Sequence, residues 1–163
     1  MKLEVPKYQP LIEQAKKEIN LADHLLYVTY KMVDEAKFLI AITNHIVKSA
    51  QMALEALFEY ERHWKRMEPY PKSFAIEISL YRQKLEKRHG FDIKFHRLLR
   101  KLLEIDKFDQ ESTVRFRRGN KYILTSGNDY NMAILDLEHV KRYSNLTKNF
   151  VNKISIIIEG KNE

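Results

Sequence analysis

Residues 39–64, LIAITNHIVKSAQMALEALFEYERHW, carry the longest helical pattern in this chain. Apolar side chains recur in this stretch at the spacing of one face of an α-helix. The pattern predicts one long helix that begins after a capping Asp34, ends near residue 66 and buries Leu39, Ile42, Ile46, Ala50, Ala53, Leu57 and Trp64. Small residues at mid-length would let a second helix approach closely; they are Ser49, Ala50, Ala53 and Ala56.

Similar stripes of apolar residues at helical spacing predict further helices before and after this long helix. Pro10 suits the first turn of a helix, because its missing N–H would be unpaired there. Pro69 and Pro71 end the long helix, Ser73 can cap the next one, and Gly90 supplies that helix with a left-handed end. These further helices are predicted over about residues 10–30, 73–90 and 92–105.

The hydrophobic period changes after the fourth helix. Residues 112–134 alternate β-forming residues with turn sequences and predict a small hairpin or three-stranded meander. Asp136 can then cap a final helix over about residues 136–157. We therefore expect a mainly α single domain over residues 1–163. It is a four- or five-helix bundle, with bundle helices over about 10–105 and a β-hairpin or meander inserted before the last helix.

The composition excludes several classes of function. There is no cysteine, so disulfides, thiol catalysis and cysteine-ligated metal sites are excluded. The first residues, MKLEVPKYQP, lack the apolar stretch of an export signal, and no run approaches the ~18 apolar residues of a membrane helix. We expect a cytoplasmic protein without membrane contact. Neither a glycine-rich phosphate loop nor a pair of Glu-x-x-His motifs occurs, so no metal or cofactor is expected.

The positive charge of the chain is concentrated in its middle. The net charge is +7, and residues 61–118 carry sixteen Lys and Arg against nine Asp and Glu. The segments before and after are close to balance. A local excess of this kind is typical of a protein that binds nucleic acid or another polyanion. A solvated basic surface without a partner is the alternative.

Three basic clusters on the third helix, the fourth helix and the hairpin supply this excess. Side chains alternate between the faces of a strand, so Arg115 and Arg117 are expected on the face opposite Phe116, which would point to the core. Clusters that converge on one surface would follow a phosphate backbone. The predicted nucleic-acid-binding residues are Lys84, Lys87, Arg88, Lys94, Arg97, Arg100, Lys101, Arg115, Arg117 and Arg118.

Arg82 and His89 form a candidate catalytic pair within the basic segment. They are seven residues apart, which is two turns of an α-helix, so both are expected on one face of the third helix. Such a pair would cleave RNA without a metal. The histidine would act as general acid or base on the 2′-hydroxyl, and the arginine would stabilise the charge that develops on the phosphate.

The first two helices resemble those of the HEPN superfamily of small helical-bundle proteins. The resemblance covers about residues 10–105 and rests on Leu21-Ala22-Asp23-His24-Leu25-Leu26, the alanine-rich second helix, and the stretch from Arg82 to His89. It implies a dimer that associates with RNA or with a nucleotidyltransferase partner. The ribonuclease branch of the family has an arginine followed at short spacing by a histidine, which implies catalytic roles for Arg82 and His89. Gln83 departs from the Asn, Asp or His that usually follows that arginine.

Three functions remain open at this point. The preferred one is a module that binds RNA or an RNA-containing assembly through the basic surface. The alternatives are a metal-independent ribonuclease and a non-catalytic module that forms a homodimer or binds a partner protein through apolar helix faces. The aromatic residues fall at helical spacing and are expected to pack in or beside the core, not to stack on bases; they are Tyr27, Tyr30, Phe58, Tyr60 and Trp64.

Overall fold

The computed structural model describes residues 4–33, 37–119, 121–126 and 132–160. Within them the chain forms five helices and a three-stranded sheet. Helix α1 consists of Tyr8–His24, a π-helical turn at Leu25–Thr29 and a last turn at Tyr30–Val33. Helix α2 is Lys37–His63, and α3 consists of Phe74–Leu80, a π-helical turn at Tyr81–Leu85 and Glu86–Arg88. The remaining elements are α4 (Ile93–Glu111), β1 (Ser112–Arg118), β2 (Lys121–Ser126), β3 (Met132–Leu135) and α5 (Leu137–Glu159).

This architecture confirms the mainly α fold with a small sheet before the last helix. Ser73 caps α3 by accepting a hydrogen bond from the Ile76 amide at 3.1 Å, and Asp136 caps α5 by accepting one from His139 at 2.8 Å. Gly90 has a φ of 65° and ends α3 as expected. Asp34, the predicted cap of α2, lies outside the described residues. Helix α4 continues past the predicted end near residue 105, because no glycine or proline interrupts it before the first strand.

Helices α1, α2 and α5 form the centre of the bundle. The small residues of α2 allow the close approach of α1, and Ser49 Oγ donates a hydrogen bond to the Ala15 carbonyl at 2.7 Å. All four small residues are fully buried: Ser49, Ala50, Ala53 and Ala56. The chain itself therefore covers the strip, and it offers no surface to a second copy.

An aromatic cluster attaches α3 and α4 to this centre. Tyr81 is fully buried, and its ring lies 5.3 Å from that of Phe91 in the connection between α3 and α4. Phe95 on α4 and Phe91 both contact Phe150 on α5, with ring centroids 5.6 and 5.7 Å apart. Since these rings are large and buried, they fix the position of α3 relative to α4.

The sheet is an antiparallel meander in the order β1-β2-β3, and it packs beside α4. Ile123, Leu124 and Leu135 supply its buried side chains. The register pairs Arg115 with Leu124 and Arg117 with Tyr122. The predicted orientation of these two arginines lies outside what the structure describes, because their side chains are not among the described ones.

The predicted burial of Trp64 is wrong. Every other residue of the α2 stripe is fully buried, whereas Trp64 is 55% exposed. The helix ends at His63, so the helical spacing that would have placed Trp64 on the buried face does not extend to it. Among the other aromatic residues considered, Tyr30 and Phe58 are buried, and Tyr27 and Tyr60 are half-buried.

Candidate nucleic-acid interface

Arg82 and His89 hydrogen-bond to two different carboxylates. Arg82 lies in the π-helical turn of α3, and its Nη1 donates to Glu86 Oε2 at 2.5 Å. His89 follows the last residue of α3, and its Nε2 hydrogen-bonds to Glu61 Oε1 at the end of α2. The expectation of a shared face assumed an unbroken α-helix, and the π-helical turn changes the angle between successive side chains. No hydrogen bond joins the two residues in the described part of the chain.

Glu61 is the centre of an ion cluster at which α2 meets the end of α3. Its carboxylate is completely buried, and Oε2 accepts hydrogen bonds from Arg66 Nε at 2.7 Å and Arg88 Nη1 at 3.0 Å. Burial acts to raise the pKa of Glu61, but the hydrogen bonds from Arg66 and His89 outweigh it, so the pKa lies below its ordinary value. Arg88 and His89 therefore connect two helices within the fold.

A basic groove lies between α3 and α4. Its volume is about 880 Å³, and we call it the α3–α4 groove. Five cationic side chains and one histidine line it, and Glu104 is the one carboxylate among its described lining residues. Glu104 lies 3.6 Å from Lys101, and both side chains are about half exposed. The polar lining residues are Ser79, Arg82 and Gln83 on α3, and His96, Arg97, Arg100, Lys101, Glu104 and Lys107 on α4.

The geometry of the two helices explains why these side chains meet. Gln83 Nε2 donates a hydrogen bond to Ser79 Oγ at 3.4 Å on α3, and Arg82 lies beside them. On α4, His96 and Arg100 are four residues apart and so lie on one face. The aromatic cluster buries the opposite side of both helices. The cations consequently face each other across the groove.

His96 is a residue that reasoning from the sequence did not assign to the site. It lines the α3–α4 groove half-buried, and its Nδ1 is buried without a hydrogen-bond partner among the described residues. Burial is the main cause that lowers its pKa, and the nearby charges of Arg82 and Arg100 lower it further. The ring is therefore mostly neutral at pH 7 and gains a positive charge in more acidic solution.

The other predicted basic residues are distributed around this groove. Lys84 lines a second depression, of about 600 Å³, together with Arg62, Lys65 and Arg66. Lys87 lines a third, which shares Arg82 and Gln83 with the α3–α4 groove. Three predicted residues, Arg97, Arg100 and Lys101, thus meet in the α3–α4 groove, whereas Lys84 and Lys87 line the other two depressions.

Lys94 and the arginines of the hairpin occupy other positions. Lys94 Nζ lies 5.2 Å from the centre of the Phe95 ring, in a cation–π contact. Arg118, at the end of β1, is exposed. The predicted contribution of Arg115 and Arg117 lies outside the described side chains.

The described residues contain neither a metal centre nor a membrane span. No group of three or more His, Asp or Glu side chains among them is arranged to hold a metal ion. Within the same residues, no helix is both long and apolar enough to cross a bilayer. Comparison with protein families, characterised proteins and solved structures finds no match to this chain.

Proposed function

We propose that this chain binds nucleic acid, with RNA as the expected form, and that the phosphates of the ligand lie in the α3–α4 groove. The observation that carries the proposal is the charge of the groove, where five cations face one carboxylate. Arg82 is oriented by Glu86, and Lys101 is near Glu104. Arg97, Arg100 and Lys107 have no carboxylate partner among the described residues, so their charges are available to an anion.

The physical basis of binding would be the neutralisation of phosphates. Each phosphate contact releases condensed counterions, so affinity falls with salt with a slope of about −0.7 per contact for a single strand. Since Arg82 is paired with Glu86 and Lys101 with Glu104, the three remaining cations predict a slope of about −2. A fourfold rise in salt would then weaken binding about 20-fold.

Fluorescence anisotropy of a labelled single-stranded RNA tests this proposal. The titration is run in chelator at two salt concentrations, and the length of the RNA is checked afterwards. Salt-dependent binding of intact RNA is the expected result. Absence of binding at low salt would leave the basic segment as a solvated surface and refute the proposal.

The same titration reads out the ribonuclease alternative. Arg82 lines the groove, whereas His89 is hydrogen-bonded to Glu61, so the two side chains have different neighbours. Shortened RNA in chelator, with intact RNA in both Arg82→Ala and His89→Ala, would support that alternative. A dimer or a partner protein remains a proposal that analytical sedimentation would test.

A further inference from the structure

Trp64 is a large aromatic side chain that the fold leaves open to solvent. It is the only tryptophan in the sequence and is 55% exposed. Its described ring contacts are with Tyr60 at 6.5 Å and His63 at 5.1 Å, and both are close to perpendicular. No described ring stacks parallel on the indole, and more than half of the side chain is open to solvent.

The backbone around Trp64 is held in a fixed turn, which we define as residues 62–66. Lys65 has a φ of 57°, in the left-handed region that residues other than glycine rarely adopt. The Lys65 amide donates to the Arg62 carbonyl at 3.0 Å, and the Arg66 amide donates to the Glu61 carbonyl at 2.8 Å. Because Arg66 also binds the buried Glu61 carboxylate, the turn is anchored to the core and presents the indole rigidly.

A basic depression lies beside the turn that carries Trp64. Residues on both sides of Trp64 line this 600 Å³ depression, where Glu68 is acidic and four of the seven lining side chains are basic; the basic ones are Arg62, Lys65, Arg66 and Lys84. Lys65 and Lys84 have no carboxylate partner in the described part of the chain. A rigid aromatic face bordered by free positive charges matches a nucleotide, which combines a flat base with a negative phosphate.

The depression beside Trp64 and the α3–α4 groove both take side chains from the π-helical turn of α3. Lys84 belongs to the same π-helical turn as Arg82 and Gln83, which line that groove. A strand whose phosphates occupy the groove would pass over this turn and bring a base to Trp64.

We infer that Trp64 is a stacking platform for an unpaired base, which makes single-stranded nucleic acid the form that this protein binds. The inference rests on the proposed function and adds a preference for single-stranded over double-stranded nucleic acid. In a duplex the base faces are already stacked on each other, so a duplex would contact the cations and leave Trp64 free.

The test uses the full chain and two probes of similar charge, an oligouridine of about twelve nucleotides and a short RNA duplex. Since Trp64 is the only tryptophan, the indole emission reports this position alone. The expected result is quenching by the oligouridine and little quenching by the duplex, at equal occupancy measured by anisotropy. Trp64→Ala should weaken oligouridine binding by about 5- to 150-fold and leave duplex binding and the salt slope unchanged. Trp64→Phe keeps an aromatic face, so it should lose less affinity for the oligouridine than Trp64→Ala does.

The outcomes separate this inference from the proposed function. Salt-dependent binding without quenching, and with Trp64→Ala equal to wild type, would refute the stacking platform and leave the groove in place. No binding of either probe would refute both. Concentration-dependent self-association that Trp64→Ala abolishes, without quenching by oligouridine, would assign Trp64 to a protein contact and also overturn the inference.

Discussion

His89 hydrogen-bonds through Nε2 to Oε1 of Glu61, a carboxylate with no exposed surface. The contact joins the end of α3 to the end of α2, 28 residues earlier in the chain. Arg66 and Arg88 occupy the other oxygen, so the buried charge is paired on both sides. This cluster positions α3, and with it one wall of the α3–α4 groove.

Replacing the central carboxylate should destabilise the protein. Glu61→Gln removes the negative charge that three basic groups share, so the free energy of unfolding should fall by about 2–4 kcal/mol. Glu55→Gln is the matched control, because its salt bridge with Lys72 is partly exposed and should be worth less than about 1 kcal/mol. Urea denaturation at pH 7 measures both. Equal losses in the two variants would contradict the role of Glu61.

The stabilisation from Glu61 should depend on pH. Its pKa is lowered in the folded protein, so the contribution is complete above its unfolded pKa near 4.5 and is lost as pH falls through the folded value. The difference in stability between wild type and Glu61→Gln should therefore shrink from pH 7 towards pH 3. A difference that stays constant over this range would show that the fold does not lower the pKa of Glu61.

Glu77 on α3 should affect the pH dependence of stability in the opposite direction to Glu61. Burial raises its pKa to about 7, and the Tyr70 hydroxyl donates to its Oε2 at 2.7 Å. Since the folded state holds this proton more tightly than the unfolded state, stability should fall as pH rises from about 4.5 to 7. Glu77→Gln cannot ionise, so it should gain about 2.5 kcal/mol relative to wild type between pH 5 and pH 8. Identical pH profiles in urea denaturation would contradict this expectation.

Protonation of His96 should strengthen RNA binding. Arg82, Arg100 and Glu86 are the charged groups that act on it, and its lowered pKa leaves it mostly neutral at pH 7. Acidification from pH 7.5 to 5.5 shifts the ring towards its positively charged form and should increase the affinity of wild type for RNA. His96→Gln should lose most of this increase and bind nearly as well as wild type at pH 7.5. Anisotropy titrations at both pH values measure it, and equal increases in the two proteins would exclude His96 from the site.

The helices and their caps were predictable because they depend on local patterns. The α2 stripe, the caps at Ser73 and Asp136 and the left-handed Gly90 follow from spacing and residue type, and the structure confirms them. The charged faces of α3 and α4 were also visible. That they form two walls of one groove was not predicted, because their approach depends on the long-range packing of Tyr81, Phe91 and Phe150.

Three features of the site carry a weak signal in the sequence or none. No residue pattern marks the π-helical turn that changes the direction of Arg82 relative to His89. The α2 stripe continues to Trp64, yet the helix ends one residue earlier in a turn with Lys65 at the position where glycine is usual. The sequence does carry a weak signal for His96, since this residue lies one helical turn from Arg100 on the polar side of α4.

If the cations of the α3–α4 groove bind phosphates, removing them should weaken RNA binding more than removing charges elsewhere on the surface. The measurement is the salt dependence of RNA affinity for wild type, for Arg97→Ala/Arg100→Ala, and for Lys17→Ala/Arg142→Ala, which removes two exposed charges that do not line the groove. The groove variant should bind about 25-fold more weakly at 0.1 M salt, with the slope reduced by about 1.4. The control variant should stay within about twofold of wild type. Equal losses in both variants would show that net charge alone drives binding, and would contradict the assignment of the groove.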